Sequence, residues 1–394
     1  MATAIVLFSG GLDSLLTTRI LQEQGIKVIG LYVATPFQDE SESARGWAEK
    51  FGIELVVQKM GDDYVKMLVH PRWGVGKGMN PCIDCRIAMC RAAARLMEER
   101  GADFVATGEI AGQRPNSQKL HQLNLISKEC GLRGRLLRPL TAKTLAPTEM
   151  EETEMVDREK LYSYTGRSRG RLIRRAKDTF GIRPIPQPST GCLLAEKSFA
   201  PRIRDLVAHK PEPTLWDMEI LPVGRHIRID GHTKAIVSRR EEDGKRLVAM
   251  FARADRSPSL LMTPENFFGT TALIVSDTLP TIPGQPENRE VGRCTRLAGG
   301  LLIRFTNARK FEGLNGNITA NLFLVPDHGE TVPIFPDPVA ENLKPLEEAP
   351  PRAPKPDQGE GACEGTGEGD ASETKTPPAT EVDWEAEAEF MGDA

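Results

Sequence analysis

Residues 4–14 read AIVLFSGGLDS: an apolar run (Ala4–Phe8), a Ser9-Gly10-Gly11 turn, and the start of a helical pattern at Leu12-Asp13-Ser14. Two adjacent glycines let the backbone turn sharply and approach a ligand closely, because no Cβ intervenes. The helix behind them presents unpaired N–H groups and a partial positive charge, which together make an anion site. Ser9 and Ser14 add hydroxyl donors. Asp13 would repel a phosphate, so it fits either as a helix-start residue or as a ligand to a metal ion bound with that phosphate. The plainer alternative is a turn and a helix cap without a ligand.

Outward from this stretch, apolar runs recur at 27–33, 53–58, 103–108 and 136–140. Helical patterns separate them at 13–24, 41–50 and 85–99, with glycine at or near each stop. Such alternation predicts right-handed βαβ units, hence an α/β fold with a doubly wound, mostly parallel sheet. Residues 149–178 read as a charged helical region broken near Gly166–Gly170, and the proline-rich 182–192 as loop. From about 213 the texture changes. Asp230-Gly231 and Asp243-Gly244 each separate apolar runs, the pattern of β-hairpins. The expected organisation is a nucleotide-binding domain at 1–205, a smaller β-rich domain at 213–335 and a disordered acidic tail at 340–394.

The net charge of −4 hides an asymmetry. Residues 341–394 carry 15 acidic and 4 basic side chains, leaving 47 basic and 40 acidic in 1–340. The remainder is mildly basic, compatible with a polyanionic partner. No apolar run approaches the roughly 20 residues that span a bilayer. The N-terminus reads directly as a strand rather than as a secretion signal, so a cytoplasmic protein is expected. Seven cysteines, an odd number, argue against a disulfide framework and for chemistry or metal binding at any clustered subset.

Ser9-Gly10-Gly11-Leu12-Asp13-Ser14 matches the SGGxDS signature of the PP-loop ATP pyrophosphatases. Thr107-Gly108-Glu109, Gly112-Gln113 and Ser117-Gln118 resemble a stretch of the 4-thiouridine synthases, with Arg114-Pro115-Asn116 inserted in its second half. Arg138-Pro139-Leu140 continues that likeness, which covers roughly residues 1–200. The resemblance implies ATP as cosubstrate, Mg2+ with its phosphates, and Ser9, Gly10, Gly11, Asp13, Ser14, Gly108 and Gln113 as nucleotide-binding residues. It further implies adenylation of a substrate oxygen, with Asp13 among the catalytic groups.

Cys82-Ile83-Asp84-Cys85 lies at a helix start, where a lowered thiol pKa is expected. Cys192 follows a stiff Pro-Ser-Thr-Gly turn, so three thiols on two loops could meet. Cys90 falls on the stripe Ile87, Cys90, Ala94, Met97 and reads as core, while Cys130, Cys294 and Cys363 have no partner motif. For Cys82, Cys85 and Cys192 three roles stay open. They are ligands to a [4Fe–4S] cluster with one open iron, a persulfide-carrying pair that closes to a disulfide, or a structural zinc site. The first resembles tRNA thiolation enzymes, and the Ser-Thr-Gly-Cys turn resembles the second catalytic cysteine of tRNA-specific 2-thiouridylases.

Between Lys160 and Arg183 eight basic residues stand with one acidic, and Tyr162, Tyr164 and Phe180 are interleaved. Arginine forks suit phosphate and aromatics stack on bases, which points to RNA. Gly224-Arg225-His226-Ile227-Arg228 resembles the RNA-binding domain of NFACT proteins, and His226 and His232 read as surface strand residues. The expected activity is ATP-dependent replacement of a tRNA base oxygen by sulfur, with tRNA and a sulfur donor as partners. The rivals are a PP-loop ligase or amidotransferase of small-molecule metabolism, and a non-catalytic RNA-binding protein that keeps an ATP fold.

Overall fold

The first strand, β1 (Thr3–Leu7), is apolar throughout because both its faces are covered; Ala4, Ile5 and Val6 are fully buried. A computed structural model describes residues 1–76, 78–187, 191–279 and 289–346. After β1 come α1 (Leu12–Gln22), β2 (Lys27–Ala34), α2 (Ser41–Phe51), β3 (Glu54–Lys59), α3 (Asp62–Val69), α4 (Cys82–Arg100), β4 (Phe104–Ala106), α5 (Leu120–Glu129) and β5 (Leu136–Leu137). The five strands are parallel in the order β3-β2-β1-β4-β5. One face is covered by α1 and α2 and the other by α4 and α5, each layer closing its own apolar core. This is the doubly wound sheet that the alternation predicts.

Strand order reverses between β1 and β4, so their carboxyl ends open a crevice. In a βαβ crossover the helix runs back against the strands, and its N-terminus stands at that same edge. The starts of α1 and α4 therefore flank one crevice from opposite faces of the sheet.

The expected helical region at 149–178 is α-helical only at α6 (Glu149–Glu152) and α7 (Gly170–Asp178), with a 3-10 turn at Arg158–Lys160. Between them the chain tracks the end of the sheet, with Tyr162 N and Tyr164 N donating to Pro139 O and Leu140 O. Leu172 and Ala176 bury one face of α7, and its arginines occupy the other. The segments α8 (Ala200–His209) and α9 (Leu215–Glu219) share an apolar cluster with α3.

A second sheet follows, antiparallel, in the order β11-β10-β8-β9-β7-β6. Its strands are β6 (Arg225–Arg228), β7 (Thr233–Val237), β8 (Ser259–Pro264), β9 (Ala272–Ser276), β10 (Thr319–Val325) and β11 (His328–Pro333). One face packs on α11 (Arg289–Phe305) and the other on α10 (Glu241–Phe251) with Trp216. Asp230-Gly231 joins β6 to β7 as a hairpin, with Arg228 opposite Lys234. Asp243-Gly244 does not make a hairpin; it lies inside α10. Glu241, Glu242 and Asp243 crowd the first turn of that helix, where its dipole favours negative charge. Leu247 and Phe251, four apart, supply the buried stripe, and Gly244 fits where a Cβ would lie 3.2 Å from Thr271 Oγ1. His226 is likewise not a surface residue: it is fully buried, with Nε2 bonded to Val223 O at 2.9 Å. His232 is exposed beside Asp277. A short helix, α12 (Pro338–Asn342), ends the described fold; the rest of the expected tail, from 347, lies outside the described residues.

Candidate functional site: a phosphate loop beside three thiols

Gly10 turns the chain after β1 with φ +73, and a Cβ there would meet the Ala44 backbone at 3.2 Å. Both facts restrict the position to glycine. Gly11 caps α1 in extended conformation, leaving the first N–H groups of the helix to face the crevice. Ser9 Oγ accepts from Gly11 N at 3.3 Å, and Ser14 Oγ donates to Gly11 O at 2.8 Å. The loop is thus braced by the two hydroxyls expected to serve it.

Asp13 Oδ2 accepts from Gln113 Nε2 at 3.0 Å, while Oδ1 is buried without a hydrogen-bond donor. Burial pushes this carboxyl above its usual value despite Gln113 and the nearby Arg169, Arg114 and Arg86. An orphaned carboxylate oxygen in a phosphate cradle has the chemistry of a magnesium ligand, so the site fits that ion. Gly108 permits the close approach of the two loops: a Cβ there would lie 2.7 Å from the Asp13 carbonyl carbon.

Behind this surface Glu109 is buried between two guanidinium groups. Its Oε2 accepts from Arg138 Nε at 3.0 Å and from Thr107 Oγ1 at 3.2 Å, and Oε1 lies 3.4 Å from Arg86 Nε. Burial alone would raise its carboxyl, but Arg138 and Arg86 outweigh that and hold it below the ordinary glutamate value. A cavity of about 710 Å3 opens over these groups. Its lining brings Ser9, Gly11, Asp13, Gln113, Arg86 and Arg114 together with the ring and apolar side chains Leu31, Tyr32 and Trp47. A flat heteroaromatic ring suits the second and a triphosphate the first.

The thiols lie next to the cavity and do not line it; Arg86, Met89 and Arg114 stand on the wall between. Cys82 begins α4, and Asn80 Nδ2 lies 2.9 Å from its Sγ. Asp84, buried within the same turn, accepts from Arg72 N and Trp73 N and fixes the segment ahead of the helix. Cys85 Sγ is 3.7 Å from Tyr64 Oη. Cys192 arrives from the other segment, which is held by Met79 N donating to Leu194 O at 2.9 Å. Cys85 and Cys192 pack on one apolar cluster, and both thiols act on the Tyr64 hydroxyl. The two loops therefore do meet. Pro188–Thr190 of the turn before Cys192, and Cys363, lie outside the described residues.

The expected activation at the helix start does not hold for Cys85. Burial pushes its thiol up, more strongly than Tyr64 and Arg86 draw it down. Cys192 is pushed up to about 11, first by burial and then by Cys85 and Cys82. Among the described residues no three His, Cys, Asp or Glu side chains are gathered as ligands of a single metal ion. A donor set of three thiols with no carboxylate or imidazole still has the soft character that iron–sulfur clusters take. Cys90 is buried in the core beneath α4, as its spacing implies; Cys130 is buried there too, and Cys294 in the core of the second sheet.

Residues 2–129 match the family model described as the tRNA methyl transferase HUP domain. The chain's parallel five-stranded sheet has the α/β HUP fold. Over 256 residues the chain is 27% identical to the tRNA-specific 2-thiouridylase MnmA of Polaromonas sp., covering 58% of each. Over 112 residues it is 33% identical to MnmA 3 of Bacteroides fragilis, covering 27% of this chain and 30% of that one. The chain thus spans little more than half the length of the first of these relatives and less of the second. Among solved structures it is similar to a 4-thiouridine synthetase–RNA complex with bound ATP, at 24% identity over 45% of this chain and 51% of that one, with a TM-score of 0.30. The matched segment contains the phosphate loop, Gly108, Gln113, Cys82 and Cys85; Cys192 lies beyond it.

Sequence reasoning missed Arg86, Arg114, Tyr32 and Trp47. The signal for Arg86 was its place one residue after Cys85, on a helix aimed at the crevice.

Proposed function

We propose that the protein is an ATP-dependent tRNA sulfurtransferase that adenylates a base carbonyl and replaces its oxygen with sulfur. One observation carries the reading: the loop after β4 reaches both chemistries. Gln113 holds Asp13 of the phosphate loop. Three residues on, Asn116 crowds Gly76 together with Asn80, whose amide reaches Cys82 Sγ. ATP binds with its pyrophosphate on residues 9–14, and Asp13 would hold the accompanying Mg2+. The base oxygen attacks the α-phosphorus; that O–P bond forms as pyrophosphate departs with the electron pair, and the ring N–H proton is released. Sulfur then bonds to the activated carbon, and AMP leaves with the oxygen.

Cys82, Cys85 and Cys192 are the sulfur-handling groups. They would hold a [4Fe–4S] cluster, which when bound supplies an open iron for the incoming sulfur and keeps its thiols deprotonated. The activity named for the relatives and the absence of a carboxylate or imidazole among the three thiols support this role. The exposed arginines and lysine of α7 suit the tRNA backbone, which neutral side chains would not hold. Tyr162 and Tyr164 stack on each other at 5.1 Å, which occupies one face of each ring. A protein that consumes ATP on tRNA works in the cytoplasm, where both are found.

The test is purification under anaerobic conditions, iron and sulfide analysis, and assay of AMP and pyrophosphate with tRNA, ATP and sulfide. The reading expects both products in equal amounts and dependent on tRNA. Binding of tRNA without AMP release would leave an RNA-binding protein. Release of AMP and pyrophosphate that does not depend on tRNA would point to a small-molecule ligase.

A further inference from the structure

Arg114 begins the three-residue insert that interrupts the loop after β4. Its backbone oxygen accepts from Gln118 N at 2.9 Å, and Gly112 N donates to Gln118 O at 2.7 Å, so the insert is a closed turn fixed at both ends. The side chain is exposed and, among the described residues, makes no hydrogen bond or ion pair. It shares the cavity wall with Arg86. Glu109 already serves Arg138 from deep burial and has only a 3.4 Å contact left for Arg86. Two guanidinium groups thus face a cavity whose other carboxylates are Asp13, the proposed Mg2+ ligand, and Glu40. Their charge acts on each other and on Asp13 at one end, while Arg114 also acts on Cys82 and Cys192 at the other.

Like charges on one wall are unfavourable unless an anion comes between them. In the order phosphate loop, Arg114, thiols, the anion that falls there is the part of the nucleotide nearest the reacting base. We propose that Arg114, with Arg86 beside it, clamps the α-phosphoryl group that passes from pyrophosphate to the base oxygen. The proposal rests on the adenylating reading above and names the group that stabilises its transition state. The fork donates to the non-bridging oxygens as the new O–P bond forms and the old one breaks. It transfers no proton. In the second stage the same contacts stabilise the AMP that leaves.

Two measurements on the full chain separate this idea from the reading beneath it. In the first, binding of AMP and of inorganic pyrophosphate is measured by calorimetry for wild type, Arg114→Ala and Arg114→Lys. Loss of a charge-assisted hydrogen bond weakens AMP about tenfold or more in Arg114→Ala, with pyrophosphate unchanged. Lysine restores part of the affinity, since it returns the charge without the fork. In the second, tRNA-dependent AMP release falls about 100-fold in kcat for Arg114→Ala, the scale for removing one transition-state donor. Equal loss of AMP and pyrophosphate affinity, or no loss of either, overturns the clamp. A wild type that releases no AMP with tRNA, yet keeps the AMP–pyrophosphate split, removes the thiolation reading and leaves the clamp standing. A melting curve for each variant, matching wild type, excludes misfolding as the cause.

Discussion

Gln113 Nε2 donates to Asp13 Oδ2 at 3.0 Å, joining residues 100 apart in sequence across the switch point of the sheet. The bond occupies one carboxylate oxygen and leaves the other buried and unpaired beside the nucleotide cradle. Asp13→Asn keeps the hydrogen bond and loses the charge. Affinity for Mg·ATP by calorimetry should fall about tenfold or more, as expected when a charged ligand to the ion is lost. Burial raises the Asp13 carboxyl above 3.8, so between that value and the raised one the folded state binds more protons than the unfolded. Its contribution to stability therefore falls as pH rises through that window. The variant should lose this slope while melting no lower than wild type at neutral pH.

Gly108→Ala tests the contact between the loops. Its Cβ would lie 2.7 Å from backbone, which cannot rotate away as a side chain can. Overpacking of this kind costs about 1–3 kcal/mol. Thermal denaturation should register that loss, and ATP binding should fall with it because α1 is pushed off β4.

Glu109→Gln removes the charge between Arg138 and Arg86. Leaving buried guanidinium groups uncompensated costs about 3–5 kcal/mol. The wild-type carboxyl is held below 4.5, so its stabilisation is complete above that value and disappears as pH falls through the lowered one. Urea midpoints across acid pH should show that decline in wild type and a flatter profile in the variant.

How much of this was legible in the sequence follows from how local each requirement is. The phosphate loop announces itself because a positive φ at Gly10 and a strand-to-helix turn need glycine in that place. The parallel sheet was equally plain, since strands covered on both faces are apolar without alternation. Asp243-Gly244 misled because the same dipeptide opens a hairpin or sits in a helix first turn. The deciding contact, Gly244 on Thr271, is tertiary. The Cys85 thiol misled for a similar reason: its helix position favours the thiolate, but burial by α3 and Tyr64 is not written beside it. The Glu109 network needs Arg138 and Arg86, far apart in the chain, and pattern alone does not bring them together.

The second sheet offers a pH test of its own. Lys234 is buried against Asp205 at 3.1 Å, and burial lowers its amine from 10.5 to about 8. In the unfolded chain the proton stays on up to about 10.5. Between these values the unfolded state binds more protons, so this residue makes folding more favourable as pH rises. Comparing urea midpoints of wild type and Lys234→Met over that range should show an upward contribution present only in wild type.

The account's central claim is that the phosphate loop and the three thiols serve one reaction. Its most direct test is mass spectrometry of nucleosides from tRNA incubated anaerobically with ATP, sulfide and either wild type or Cys192→Ala. The account predicts one thiolated nucleoside with wild type and none with the variant, while the variant still releases AMP. Sulfur incorporation at the same rate without Cys192, or AMP release by wild type with no thiolated product, would contradict it.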